Sequence, residues 1–137
     1  MKKAFVALSC LLILNGSCKK AIDKIKENML VDAMVDGQWK VTSFILDGTN
    51  ITSQYQGYTF QYFESRDVNA IKNGTVEYSG TWDGDISTES TWANFPTATE
   101  PISHINGTWH IDNSSWTFVV ASQTSGGITK VMRLDKI

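Results

Sequence analysis

From Gly37 onwards the apolar residues recur at every second position and the runs are broken by glycine turns, a pattern that selects an antiparallel sheet. Tyr58-Thr59-Phe60-Gln61-Tyr62 alternates cleanly and places Tyr58, Phe60 and Tyr62 on one face. Residues 38–46 are rich in β-branched and aromatic types and end at Asp47-Gly48, which makes them the first strand. Asn73-Gly74 predicts a two-residue hairpin pairing Ile71 with Val76 and Asn69 with Tyr78, with Ile71, Val76, Tyr78 and Trp82 on the buried face. Asn106-Gly107 predicts a second hairpin, with Ile102, His104, Trp109 and Ile111 turned inward and His110 outward. Asp83-Gly84 reads as a turn in a loop longer than two residues. Residues 89–101, which hold both prolines, Pro96 and Pro101, read as a long loop carrying Trp92 and Phe95. Strands over 116–121 and 128–134 complete the series.

The fold class is therefore all-β, an antiparallel up-and-down meander, and an apolar fraction of 42% suffices to fill one core. Gly-x-Trp occurs three times, at Gly37-Gln38-Trp39, Gly80-Thr81-Trp82 and Gly107-Thr108-Trp109. Glycine lets a strand begin or bend at a barrel corner, and the tryptophan fills the interior beneath it.

The N-terminal segment has a different grammar. Lys2 and Lys3 precede an apolar run over 4–14 that is too short to span a bilayer, and Gly16-Ser17-Cys18 follows. This resembles a bacterial lipoprotein precursor, in which small residues precede a cysteine that receives the lipid and becomes the new N-terminus. Asn15 stands where that pattern usually has leucine; Leu14 lies one position further back. The resemblance implies removal of residues 1–17 as a signal peptide and lipidation of Cys18. Cys10 leaves with the signal, so the folded part holds no free thiol and no thiolate chemistry is expected. The formal charge is −2, and loss of Lys2 and Lys3 makes the remainder more acidic, which does not point to nucleic acid as a partner.

Residues 18–36 form the expected tether. Ile22, Ile25, Met29 and Ala33 recur at spacings of three and four, predicting a short amphipathic helix that Gly37 terminates. Lys19, Lys20, Lys24 and Lys26 could meet anionic headgroups, whereas Asp23, Glu27 and Asp32 dilute the basic face and favour a spacer helix capping one end of the domain.

A short helix, a Gly-x-Trp opening the first strand and a run of antiparallel strands resemble the lipocalin and calycin barrels. The pattern is most similar to the small lipocalin-like domains of Bacteroidetes lipoproteins, through residues 37–43, 57–62, 80–82 and 131–137. The resemblance covers most of 37–137 and implies about eight strands closed as a barrel. It also implies that Arg133, near the end of the last strand, packs on Trp39 of the first.

His104 and His110 are the only histidines, zinc wants three or four converging ligands, and the expected hairpin puts His104 inside and His110 outside. No nucleophile elbow is present, and Asp83-Gly84-Asp85 lacks the helices and the glutamate of a calcium loop. Neither enzyme activity, a metal nor a cofactor is expected. The expectation is a cell-envelope lipoprotein on the outer membrane, facing the periplasm because Lys19-Lys20 replaces the acidic residues that follow the cysteine in surface-exposed relatives. A hollow barrel would hold a small apolar or amphipathic ligand against Tyr58, Phe60, Tyr62, Tyr78, Trp92, Phe95 and His104, with Trp39, Trp82, Trp109 and Arg133 structural. A barrel filled by those rings, with Trp116 and Phe118, would be an interaction or scaffolding module. A third alternative uses Trp92 and Phe95 as a glycan-stacking platform.

Overall fold

The computed structural model describes residues 20–22 and 24–137. Cys18 and the expected signal segment lie outside the described residues. Helix α1 covers 20–22 and 24–35, and nine strands follow: β1 (Trp39–Leu46), β2 (Thr49–Asn50), β3 (Tyr58–Tyr62), β4 (Asp67–Lys72), β5 (Thr75–Asp85), β6 (Ser90–Asn94), β7 (Gly107–Ser114), β8 (Phe118–Ser125) and β9 (Ile128–Lys136). Short 3₁₀ turns at Thr52–Tyr55 and Ile102–Ile105 interrupt the meander. Each strand from β3 to β9 pairs antiparallel with the next, and β1 pairs with β9 from Trp39↔Lys136 to Leu46↔Lys130. The sheet is thus a closed eight-stranded barrel, with β2 only a two-residue fold-back on the end of β1. Closure removes the sheet edges that an open meander would leave unpaired.

The seam between β1 and β3 is thin, a single Trp39↔Phe60 pair. On the other side of β1 the register shifts between Val41 and Ser43, and that bulge decides which side chains enter the core. Trp39 and Val41 point inward before it and Phe44 after it, so the apolar residues stay inside although their spacing is not strictly two.

A second bulge, between β4 and β5, corrects the expected hairpin register. Ile71 pairs with Val76 as the two-residue turn requires, but Ala70 then pairs with Tyr78 and Asn69 with Ser79. Glu77 is the extra residue, and Val76 is left exposed rather than on the buried face.

The Asn106-Gly107 hairpin does not form. Ile102–Ile105 is a 3₁₀ turn, and β7 pairs with β6, Ala93 opposite Gly107. Asn106 acts as a local strand partner instead: its Oδ1 accepts from the Phe95 amide at 2.7 Å and its Nδ2 donates to the Phe95 carbonyl at 3.3 Å. The expected loop over 89–101 therefore contains a strand, β6, and the irregular connection runs over 95–106. Asp83-Gly84-Asp85 belongs to β5, and the turn lies just beyond, where Asp85 Oδ1 accepts from the Ser87 amide and hydroxyl.

Both barrel ends are covered. At one, α1 lays Val31 and Met34 into the core beside the β1 start and the turns after β3, β5 and β7. At the other, the two 3₁₀ turns meet where the Tyr55 hydroxyl donates to the Pro101 carbonyl at 2.8 Å.

Gly80 sits at a close approach of two strands. A Cβ there would lie 2.1 Å from the Asn94 carbonyl oxygen of β6, and backbone cannot retreat as a flexible side chain does. Gly80→Ala is expected to lower stability by about 1–3 kcal/mol through overpacking, read as a lower urea midpoint; an unchanged midpoint would mean that the strands separate freely at this corner.

Candidate functional site

The interior is lined by three aromatic groups. Phe44 stacks on Tyr55 at 5.0 Å between centroids and meets Trp109 edge-on at 6.0 Å. Tyr62 meets Trp82 edge-on at 5.3 Å, and Phe60 meets Phe95 at 6.3 Å. These are the offset and edge-to-face geometries that ring quadrupoles favour, and they fill volume efficiently. Enclosed among Trp82, Trp109, Met132 and Leu134, and roofed by Leu30 and Met34 of α1, is a cavity of about 40 Å³. Small-molecule pockets begin at roughly 300 Å³, so this space admits a water or two and no drug-sized ligand. A second space, about 240 Å³, is an open apolar groove outside the roof, between α1 and the turns carrying Ile86 and Trp116.

Most residues expected at a ligand site are brought together, but as packing. Tyr58, Phe60 and Tyr62 are buried along β3, as their alternation implied, and Trp39, Trp82 and Trp109 are buried beneath the three Gly-x-Trp glycines. Tyr78 is half-buried, its hydroxyl 3.1 Å from Thr99 Oγ1. Trp92 and Phe95 do not form a stacking platform: Phe95 is 1% exposed against Phe60, while Trp92 is 41% exposed on a strand, β6, and not on a long loop. Trp116 is also not a barrel residue. It lies in the turn before β8, whose inward positions are Val119 and Ala121, and Phe118 is only partly buried.

Arg133 does not reach Trp39. Its guanidinium lies over Phe118, 4.6 Å from the ring centroid, and forms two hydrogen bonds with Asp135. Lys136 takes the expected place, its ammonium 5.1 Å from the Trp39 centroid and 3.5 Å from the Asp36 carboxylate. The β1–β9 register explains the exchange, since Trp39 pairs with Lys136 and Arg133 is opposite Ser43.

His104 sits on the second 3₁₀ turn, mostly buried near Phe44, with Glu100 3.8 Å from its Nε2. His110 is exposed, and its Nδ1 is 2.9 Å from Asp112 Oδ1. Ser122 donates its hydroxyl to the same carboxylate oxygen at 3.1 Å. The carboxylate thus stands between imidazole and hydroxyl, whereas nucleophilic catalysis needs the imidazole between the other two. These hydrogen bonds, His110 first, hold the Asp112 carboxyl below the usual range. Among the described residues no three His, Cys, Asp or Glu side chains converge as metal ligands do.

No protein-family model matches the chain, and no curated protein matches it. Solved structures of similar fold are found. A DUF4847 family protein from Bacteroides vulgatus superposes with a TM-score of 0.55 at 10% identity, covering 77% of this chain and 96% of that one. Japanin from Rhipicephalus appendiculatus, bound to cholesterol, superposes with a TM-score of 0.53 at 6% identity, covering 77% of each. The barrel is lipocalin-like. At such identities the likeness is one of fold, and side chains are free to fill or empty the interior independently of it.

The tyrosines report how dry the lipocalin-like interior is. Burial, and then Glu77 beside it, push the Tyr58 phenol from 10.0 up to about 12; burial raises Tyr62, and burial with Glu100 raises Tyr55. Each phenol holds its proton more tightly folded than unfolded. The contribution of Tyr58 is therefore whole below pH about 10 and is lost as pH rises from there through about 12, and those of Tyr55 and Tyr62 are lost at still higher pH. An alkaline titration should show the phenolate absorbance of these three tyrosines appearing together with the loss of circular dichroism. Phenolate forming at about pH 10 with the fold intact would contradict a dry interior.

Proposed function

We propose that this chain is a lipid-anchored cell-envelope lipoprotein, held to the outer membrane through Cys18 and facing the periplasm, which acts by binding and not by catalysis. The observation that carries the reading is the interior: a cavity of about 40 Å³ makes the barrel a self-filled, rigid scaffold that presents its outer surface to a partner. The Gly16-Ser17-Cys18 sequence behind a charged and apolar leader supports the anchor.

A second reading, a carrier of a small apolar ligand, is favoured by one observation. Leu30 and Met34 line both the interior cavity and the open groove, so displacement of α1 would join the two spaces. Japanin, of similar fold, is seen bound to cholesterol.

Intact mass of the protein isolated from the envelope tests the anchor: the expected species begins at Cys18 and carries lipid, and an unmodified N-terminus elsewhere overturns it. Titrating the chain from residue 18 with cholesterol or a fluorescent fatty acid tests the scaffold, for which no saturable binding is expected. Saturable binding that is weakened at least tenfold by Ala121→Leu, which intrudes into the interior, would move the assignment to the carrier.

A further inference from the structure

Helix α1 is divided between two environments. Its second half docks on the barrel through Leu30, Val31 and Met34, while every described residue from Lys20 to Met29 is exposed. Free-standing helices shorter than about 12–15 residues are marginal in water, so the first half needs a partner that the barrel does not supply. Its apolar residues are aligned for one. Ile22, Ile25 and Met29 follow the helical spacing on one face, at 51%, 57% and 46% exposure. Met29 continues that face into the apolar groove, whose opposite wall is Trp116, 51% exposed in the turn before β8. Helix face, groove and indole thus form one apolar strip across the end of the barrel, of a kind that soluble monomers seldom leave bare.

We propose that this strip rests on the membrane surface, with α1 lying in the interfacial plane and Trp116 at headgroup depth. The occupant follows from position and charge. Lys20, the first described residue of the exposed half-helix, follows Cys18 by two positions in the sequence, so a lipid on that cysteine would hold it at the bilayer; this argument rests on the anchor reading above. Lys20, Lys24 and Lys26 are exposed along the same half-helix and outnumber Glu27, the acidic side chain described there, and Lys26 lines the groove, where ammonium groups meet anionic headgroups while the apolar face enters the acyl boundary. Tryptophan is the side chain that concentrates at that depth, its ring apolar and its N–H wet. Among the described residues no helix is long and apolar enough to cross a membrane, and none is needed, since α1 lies on the surface. The consequence is a fixed orientation. The end bearing α1 and the turns after β5 and β7 faces lipid, and the end closed by Thr52–Tyr55 and Ile102–Ile105 points away.

The test uses the chain from residue 18 with Cys18→Ser, so its outcome does not depend on lipidation, which intact mass decides separately. This protein is mixed with vesicles of phosphatidylcholine, alone or with phosphatidylglycerol, and with the same vesicles carrying brominated acyl chains. Binding to the anionic vesicles with quenching of tryptophan emission is expected, weakened about tenfold when Lys24 and Lys26 are both replaced by Gln. Trp116→Phe should remove most of the quenching. Ile25→Gln should weaken binding with no change in the denaturation midpoint, because Ile25 is 57% exposed and lies outside the core cluster. Absence of binding to any vesicle overturns the proposal, as does quenching that persists in Trp116→Phe. A concentration-dependent dimer that buries Trp116 and ignores vesicles also overturns it and assigns the strip to a second copy of the chain.

Discussion

Three indole N–H groups hold this barrel to its own ends. Trp39 donates to the Met34 carbonyl at 2.9 Å, Trp82 to the Phe63 carbonyl at 3.1 Å and Trp109 to the Ile105 carbonyl at 2.8 Å. All three rings are buried, and a buried N–H without an acceptor would cost about 1–3 kcal/mol. The acceptors are not in strands, whose carbonyls are engaged in the ladder. They are the last turn of α1, the turn after β3 and the 3₁₀ turn before β7. Filling the interior and closing its ends are therefore one interaction made three times. Arg66 adds to the second of these, placed 5.4 Å over the Trp82 ring while its Nε contacts Asp83 at 3.1 Å.

That arrangement accounts for a barrel with little free volume. A lipocalin-like sheet of eight strands can enclose one small ligand or be filled by side chains, and the choice lies with what points inward. Here the three indoles are joined by Phe44, Phe60 and Phe95, and the space left beside small residues such as Ala93 and Ala121 is a cavity of only about 40 Å³. The thin β1–β3 seam is tolerable for the same reason, because Trp39 and Phe60, its one bridging pair, are both anchored in this packing and not by the ladder alone.

How much of this was legible depends on whether a side chain's place follows from local spacing. The strand Tyr58–Tyr62, the first and last strands and their pairing, and the inward turn of all three Gly-x-Trp tryptophans follow from alternation and barrel closure. Val76 and Trp116 were misplaced because a bulge or a turn shifts the phase by one residue, and a one-residue slip sends every side chain to the other face. Ile102-Ser103-His104-Ile105 alternates like a strand, yet the β6–β7 pairing occupies the sheet position it would need, and it folds as a 3₁₀ turn instead. Exchange of Arg133 for Lys136 over Trp39 is a matter of register between the two ends of the chain, which short motifs do not encode. At the candidate site, spacing identified which aromatics converge but carried no information on the space left between them.

The same geometry ties the interior to the helix. Leu30 and Met34 are walls of the enclosed cavity and of the outer groove alike, and Met34 also supplies the carbonyl that Trp39 requires. Sliding α1 outward would thus enlarge the cavity only by orphaning the Trp39 N–H and by parting Lys136 from Asp36. The Lys136 pair is partly solvated and contributes little, about 0–1 kcal/mol, so the indole hydrogen bond and the burial of Val31 and Met34 set the resistance. The exposed half of the helix runs on into the half whose Leu30 and Met34 roof the barrel, so the seat of the helix and the interior cavity share the same two side chains.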